Sequence, residues 1–127
     1  LRELRKRVTP GGRLLFGAET WEQIPPPERL AHLWDGTTVD ECLELPDMVD
    51  AAVEAGFRPL WIETATRGEW EAFESGHAIE IEEWLLANAD HPEAESVRDK
   101  LDQQRSIWLR GHRDYLGFAY LTLGVPT

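Results

Sequence analysis

Glu19 and Trp21 stand just beyond an apolar run, Leu14, Leu15 and Phe16, in a stretch bounded by glycines. A carboxylate and an indole suit ligand contact there, because an α/β sheet gathers its ligands at strand ends. Glu19 offers a hydrogen-bond acceptor and Trp21 a stacking surface; the plainer alternative is a solvated Glu19 and a core Trp21. Further along, Trp70, Phe73, His77, Ile81 and Trp84 recur every three or four residues, so on a helix they form one stripe. His77 in that stripe is either a structural imidazole or a general base or substrate contact. Trp70 belongs, with Trp61, Trp84 and Trp108, to a set of six tryptophans in 127 residues. They either fill a core or wall a pocket for an apolar or planar substrate. Glu19, Trp21, Trp70 and His77 are therefore the candidate substrate-binding residues, and no catalytic residue is assigned.

Other chemistries find less support. Glu74 and His77 have the i, i+3 spacing of helical di-metal carboxylate sites, but such sites need a second Glu-x-x-His, which the chain lacks. His112 stands among Arg110, Arg113 and Asp114 with no glutamate close in sequence, so no metal site is expected. Ser75 and Ser106 fall on expected helices without a nucleophile elbow. Cys42, the one cysteine, excludes an internal disulfide and suits a reducing cytoplasm. Glu41 and Glu44 beside it oppose thiolate formation, which fits a packing residue better than a nucleophile.

The net charge of −11 argues against nucleic acid as a partner, because phosphates are held by clustered Lys and Arg. The basic residues that do cluster lie within Leu1–Arg13, where a solvated helix face accounts for them. An anionic membrane surface is disfavoured on the same ground. A small molecule or another protein is the expected partner. No apolar stretch approaches the roughly 20 residues that cross a bilayer. Arg2, Arg5, Lys6 and Arg7 are not followed by the apolar segment of a signal peptide.

The elements that must position these residues follow from periodicity and turn residues. Leu1, Leu4 and Val8 share one side of a helix, which Pro10-Gly11-Gly12 ends. Arg13–Ala18 then reads as a strand buried on both faces. A chain that opens on such a helix-turn-strand unit reads as part of a larger one. Pro25-Pro26-Pro27 stiffens the next segment. The stretch from Glu28 to Glu44 is ambiguous, with Leu30, Leu33 and Trp34 at helical spacing. Pro46 opens a helix that buries Met48, Val49, Ala52 and Val53 and stops at Gly56. Phe57–Ala65 carries a strand through Leu60, Trp61 and Ile62. Thr66 and Glu69 have capping-box spacing and open a long helix, broken at Ala89–Pro92. A second helix runs from about Pro92 to His112 with Val97, Leu101 and Trp108 inward, and Phe118–Gly124 alternates as a closing strand.

With its Pro10-Gly11-Gly12 turn into one strand, its Ala55-Gly56-Phe57 link into another, and a last strand after a helical pair, the chain resembles the C-terminal half of a class I (Rossmann-like) S-adenosylmethionine-dependent methyltransferase. The resemblance implies residues 1–127 as a single α/β fragment of a Rossmann-like sheet. Its three strands would lie in the order Leu14–Gly17, Phe118–Leu123, Leu60–Thr64, with the last two antiparallel. Residues 66–113 would be a two-helix insertion capping an acceptor pocket, which the loop at Glu19 and Trp21 would border. The family's glycine-rich cofactor loop and ribose-binding acid have no counterpart here. S-adenosylmethionine and a small-molecule substrate are thus expected of the full-length protein, and no cofactor or turnover of this chain alone. The rival expectation is a non-catalytic small-molecule-binding or dimerisation module. With the first half of such a sheet absent, Leu14–Gly17 would be an edge strand, and exposed edges recruit another strand, so a homo-oligomer is expected.

Overall fold

The turn at Pro10-Gly11-Gly12 lets the chain reverse from a helical turn into a strand. Gly11 takes a φ of +79°, open to glycine at no steric cost, and its N–H is donated to the Val125 carbonyl. A computed structural model describes residues 1–127. They form two units, a sheet unit of Leu1–Ile24, Thr38–Ala65 and Asp114–Thr127 and a helical unit of Pro25–Thr37 and Thr66–Arg113.

In the sheet unit, helix α1 (Arg2–Arg5) leads into β1 (Arg13–Trp21), and a two-residue strand β2 (Leu43–Glu44) is followed at once by α3 (Leu45–Glu54), then β3 (Arg58–Thr64) and β4 (Leu116–Gly124). The short helix α2 (Pro27–Leu30) belongs to the other unit. The sheet order is β2-β1-β4-β3. β4 runs antiparallel to both neighbours, from Arg13↔Gly124 to Trp21↔Leu116 on one side and from Arg58↔Gly124 to Thr64↔Ala119 on the other. The mixed α/β sheet expected from the sequence is therefore present, with its three main strands in the expected order. β2 is an addition, parallel to β1 through Thr20↔Leu43 and Trp21↔Glu44. β3 carries an irregularity between Pro59 and Trp61, where a proline that cannot donate to the ladder is tolerated because β3 is an edge strand.

The core lies on one face of this sheet. Met48 and Ala52 of α3 pack with Phe57, Ala119, Leu121, Leu123 and Val125, and Leu14, Phe16 and Ala18 add partial cover. Proline in the first turn of α3 suits a position whose N–H has no intrahelical partner. Gly56, at φ +101°, lets the chain leave α3 and turn into β3. The expectation that β1 is buried on both faces is corrected: Leu15 is 74% exposed, and Trp61 of β3, on the same sheet face, is 64% exposed. The reason is alternation. Leu14, Phe16 and Ala18 point to the covered face, so Leu15 points to the bare one.

In the helical unit, α4 (Arg67–Ala87) starts at a complete capping box. The Glu69 N–H is donated to Thr66 Oγ1 and the Thr66 N–H to Glu69 Oε1. Helix α5 (Ala94–Ser106) passes directly into a π-helical turn, Ile107–His112, closed by an Arg113 N–H to Trp108 carbonyl bond. Helix α2 and the segment after it pack on that turn. Arg29 donates to the Arg110 carbonyl, and Gly111 is buried where a Cβ would come within 3.0 Å of the His32 carbonyl oxygen. The stripe on α4 does not fill a core: no α4 residue is buried, and Phe73 is 60% exposed. Within this unit α4 lies beside α5, and Phe73 and His77 of its stripe line an open cavity. On α5 Leu101 is buried and Val97 half-buried, and Trp108 of the π-helical turn is half-buried.

Candidate functional site

The cavity of the helical unit, about 460 Å³, is walled by Phe73, Glu74 and His77 of α4, Leu101 and Arg105 of α5, Trp108 and His112 of the π-helical turn, and Trp34. Each element places its side chains by simple geometry. Phe73 and His77 are one helical turn apart, so their rings stack, with centroids 5.4 Å apart and planes 19° apart. Glu74 and His77 share a face for the same reason. The π-helical turn, a feature often found at functional sites, carries both Trp108 and His112 to the cavity. Seated by Gly111, the segment after α2 brings the Trp34 ring flat against the His112 imidazole, 5.3 Å and 15° between them. Trp70 meets the same imidazole at a tilt, 5.5 Å between centroids.

His112 is only 3% exposed. Burial holds its pKa down at about 4, because a charged imidazole would lose its hydration there. It is therefore neutral at neutral pH. Its Nε2 lies 3.6 Å from Glu74 Oε1, a contact between a neutral imidazole and a carboxyl group. Glu74 itself is raised above the ordinary carboxylate range by burial, an effect partly opposed by nearby His77. The cations at the cavity are already engaged: Arg105 pairs with Asp102 at 2.9 Å and with Glu82. Outside its lining, Arg113 pairs with Glu71 at 3.1 Å. The site thus offers aromatic walls, a neutral imidazole and a carboxyl group able to accept a proton.

The structure brings two of the four expected site residues together. His77 lines the cavity and Trp70 packs against its buried histidine, while the Trp70 indole N–H is buried without a hydrogen-bond partner. Glu19 and Trp21 lie in the sheet unit. Trp21 is 3% exposed and donates its indole N–H to the Val39 carbonyl at 2.8 Å, so it serves packing. Glu19 is exposed; burial first, and then the charges of Glu19 and Glu41, raise the pKa of Cys42, an environment opposed to thiolate formation. Sequence reasoning missed Trp34, and it weighed Glu74 and His112 only as metal ligands. No glutamate stands near His112 in sequence, yet the fold sets Glu74 against it. A signal was available for His112, which follows Leu101 and Trp108 at i+11 and i+4 on one helix face.

The residues present do not fit a nucleotide-cofactor cradle. Such a cradle follows a strand and opens a helix with glycines, whereas Gly11 and Gly56, both at positive φ, precede strands and Gly36 lies in the segment after α2. No glycine separates a strand from the helix after it: α2 follows Pro25-Pro26, α3 follows Glu44 directly, and α4 begins at its Thr66 capping box.

No protein-family model matches the chain. The uncharacterised protein YjhP of Escherichia coli K12 is 27% identical over 120 residues, 94% of this chain and 48% of YjhP. The X-ray structure of YjhP superposes with a TM-score of 0.81 over 98% of this chain and 50% of that one. A methyltransferase of Geobacter sulfurreducens, solved with S-adenosyl-L-homocysteine, is 28% identical with a TM-score of 0.77 over 94% of this chain and 47% of that one. One from Thiobacillus denitrificans, also solved with S-adenosyl-L-homocysteine, is 27% identical with a TM-score of 0.76 over 91% and 46%. The chain thus spans about half the length of the relatives it matches. Sheet order and half-length match agree: the chain is similar to the C-terminal half of a class I S-adenosylmethionine-dependent methyltransferase.

Proposed function

We propose that this chain supplies the acceptor-binding side of a methyltransferase that acts on a small molecule, and that the cavity of the helical unit receives the acceptor. The observation that carries this is the cavity itself, of small-molecule size, with aromatic walls and a carboxyl group beside a buried neutral imidazole. Trp34, Phe73 and Trp108 offer apolar surfaces that orient a flat or apolar body. Glu74, raised by burial, is the better proton acceptor of the Glu74–His112 pair. S-adenosylmethionine would be the methyl donor of the full-length protein, held by residues outside those described. This chain alone then binds no cofactor and turns nothing over. A reducing cytoplasm suits Cys42.

The test has two arms. Calorimetric titration of the 127-residue chain with S-adenosyl-L-homocysteine is expected to give no binding, and binding would refute its inactivity in isolation. The full-length gene product, supplied with S-adenosylmethionine labelled at the methyl group, is expected to label small-molecule acceptors. The Trp108→Ala and Glu74→Gln variants should each lose about tenfold or more of that activity. A full-length protein that binds the cofactor yet labels no small molecule would overturn the proposal.

A second reading, a dimerisation module, draws on one observation. Leu15 and Trp61 are exposed on the bare face of the sheet, and β1 is paired with β2 only at Thr20 and Trp21.

A further inference from the structure

The charges around the cavity are unevenly compensated. Arg105 is engaged by Asp102 and Glu82, and His112 is neutral because it is buried. Glu74, with a side chain only 22% exposed, faces that neutral ring. The remaining titratable group on the wall is His77, close enough to favour the Glu74 carboxylate. A half-buried carboxylate without a firm cationic partner is costly, and a bound cation would remove that cost. The walls point the same way, since the faces of Trp34, Phe73 and Trp108 attract cations through the ring quadrupole. An anionic ligand would meet Glu74 and Glu82, and a neutral one would leave Glu74 uncompensated. Resting on the acceptor-site reading above, we infer that the cavity takes a protonated amine on an apolar or aromatic body, with Glu74 as its counter-ion and Trp34, Phe73 and Trp108 as its walls.

This assignment also gives the carboxylate a chemical role. An ammonium group is not a nucleophile. Transfer of its proton to Glu74 breaks an N–H bond, forms an O–H bond and leaves the electron pair on nitrogen, free to accept an alkyl group.

The experiment is a calorimetric titration of the 127-residue chain with two probes of like shape, phenethylamine and 2-phenylethanol. The amine is expected to bind about tenfold or more tightly than the alcohol. Glu74→Gln should reduce that preference to about threefold or less, whereas Asp99→Asn, on an exposed position of α5, should leave it unchanged. Equal affinities, tighter alcohol binding, no binding of either probe, or a preference that survives Glu74→Gln would each overturn the inference. If Glu74→Gln fails to fold by circular dichroism, Phe73→Ala replaces it. Its ring is exposed at the cavity wall, and its loss should weaken the amine by about threefold or more, with unchanged amine binding counting against the inference. The two proposals fail separately. Amine binding without methyl transfer by the full-length protein would overturn the enzyme reading alone, and methyl transfer to neutral acceptors without amine binding would overturn the amine site alone.

Discussion

His112 and Glu74 respond to burial in opposite directions, and the difference is measurable. An unfolded chain protonates its histidine near pH 6.5, whereas folded His112 stays neutral down to about pH 4. Between those values the unfolded state binds more protons, so His112 makes the fold less stable as the pH falls. Glu74 acts with the opposite sign, because its raised pKa lets the folded state take up a proton before the unfolded chain does. His112→Gln is therefore expected to flatten the loss of stability between about pH 6.5 and pH 4. Chemical denaturation midpoints across that window test this, and an unchanged profile in the variant would refute it. Trp21 shows how residue type alone misleads. A tryptophan at a strand end suits stacking, but here its indole N–H is used inside the sheet unit by Val39.

At the scale of elements, the helical unit depends on one close approach. Gly111 is required by space, since a Cβ would lie 3.0 Å from the His32 carbonyl oxygen and 3.1 Å from Leu33 Cδ2. Backbone cannot yield as a flexible side chain does. Gly111→Ala is expected to cost about 1–3 kcal/mol, as overpacking does, and to loosen Trp34 from His112. Urea denaturation and near-ultraviolet circular dichroism would report both, and an unaltered midpoint would show that the segment after α2 is not seated there. The α4 stripe teaches the complementary lesson. Periodicity placed Trp70, Phe73 and His77 on one face, but whether that face fills a core or walls a cavity depends on what lies opposite, which periodicity does not encode.

At the scale of the whole chain, the sheet ends in features that favour association. β1 offers most of one edge unpaired, and Leu15 and Trp61 are bare on one face. Unpaired edges recruit strands, so the isolated 127-residue chain is expected to self-associate as a symmetric pair. Light scattering over a concentration series checks this, and a clean monomer at high concentration would refute it. No helix is long and apolar enough to cross a membrane.

What could be read along the chain is whatever the physics makes local. Proline and glycine chemistry placed the turns before β1 and β3, the Thr66–Glu69 spacing placed the start of α4, and alternation placed β4, because each depends on residues a few positions apart. The order of the three main strands was legible through the resemblance those turns carry. Burial was not: Leu15 turned outward and Trp21 inward because a strand's faces are decided by what packs on them. The site was legible in part, through Trp70 and His77 on one helical face. The rest joins side chains distant in sequence, and only packing brings Trp34 and Glu74 against His112. The neutral imidazole and the raised carboxyl group follow from desolvation, which exists only once the chain has closed around them.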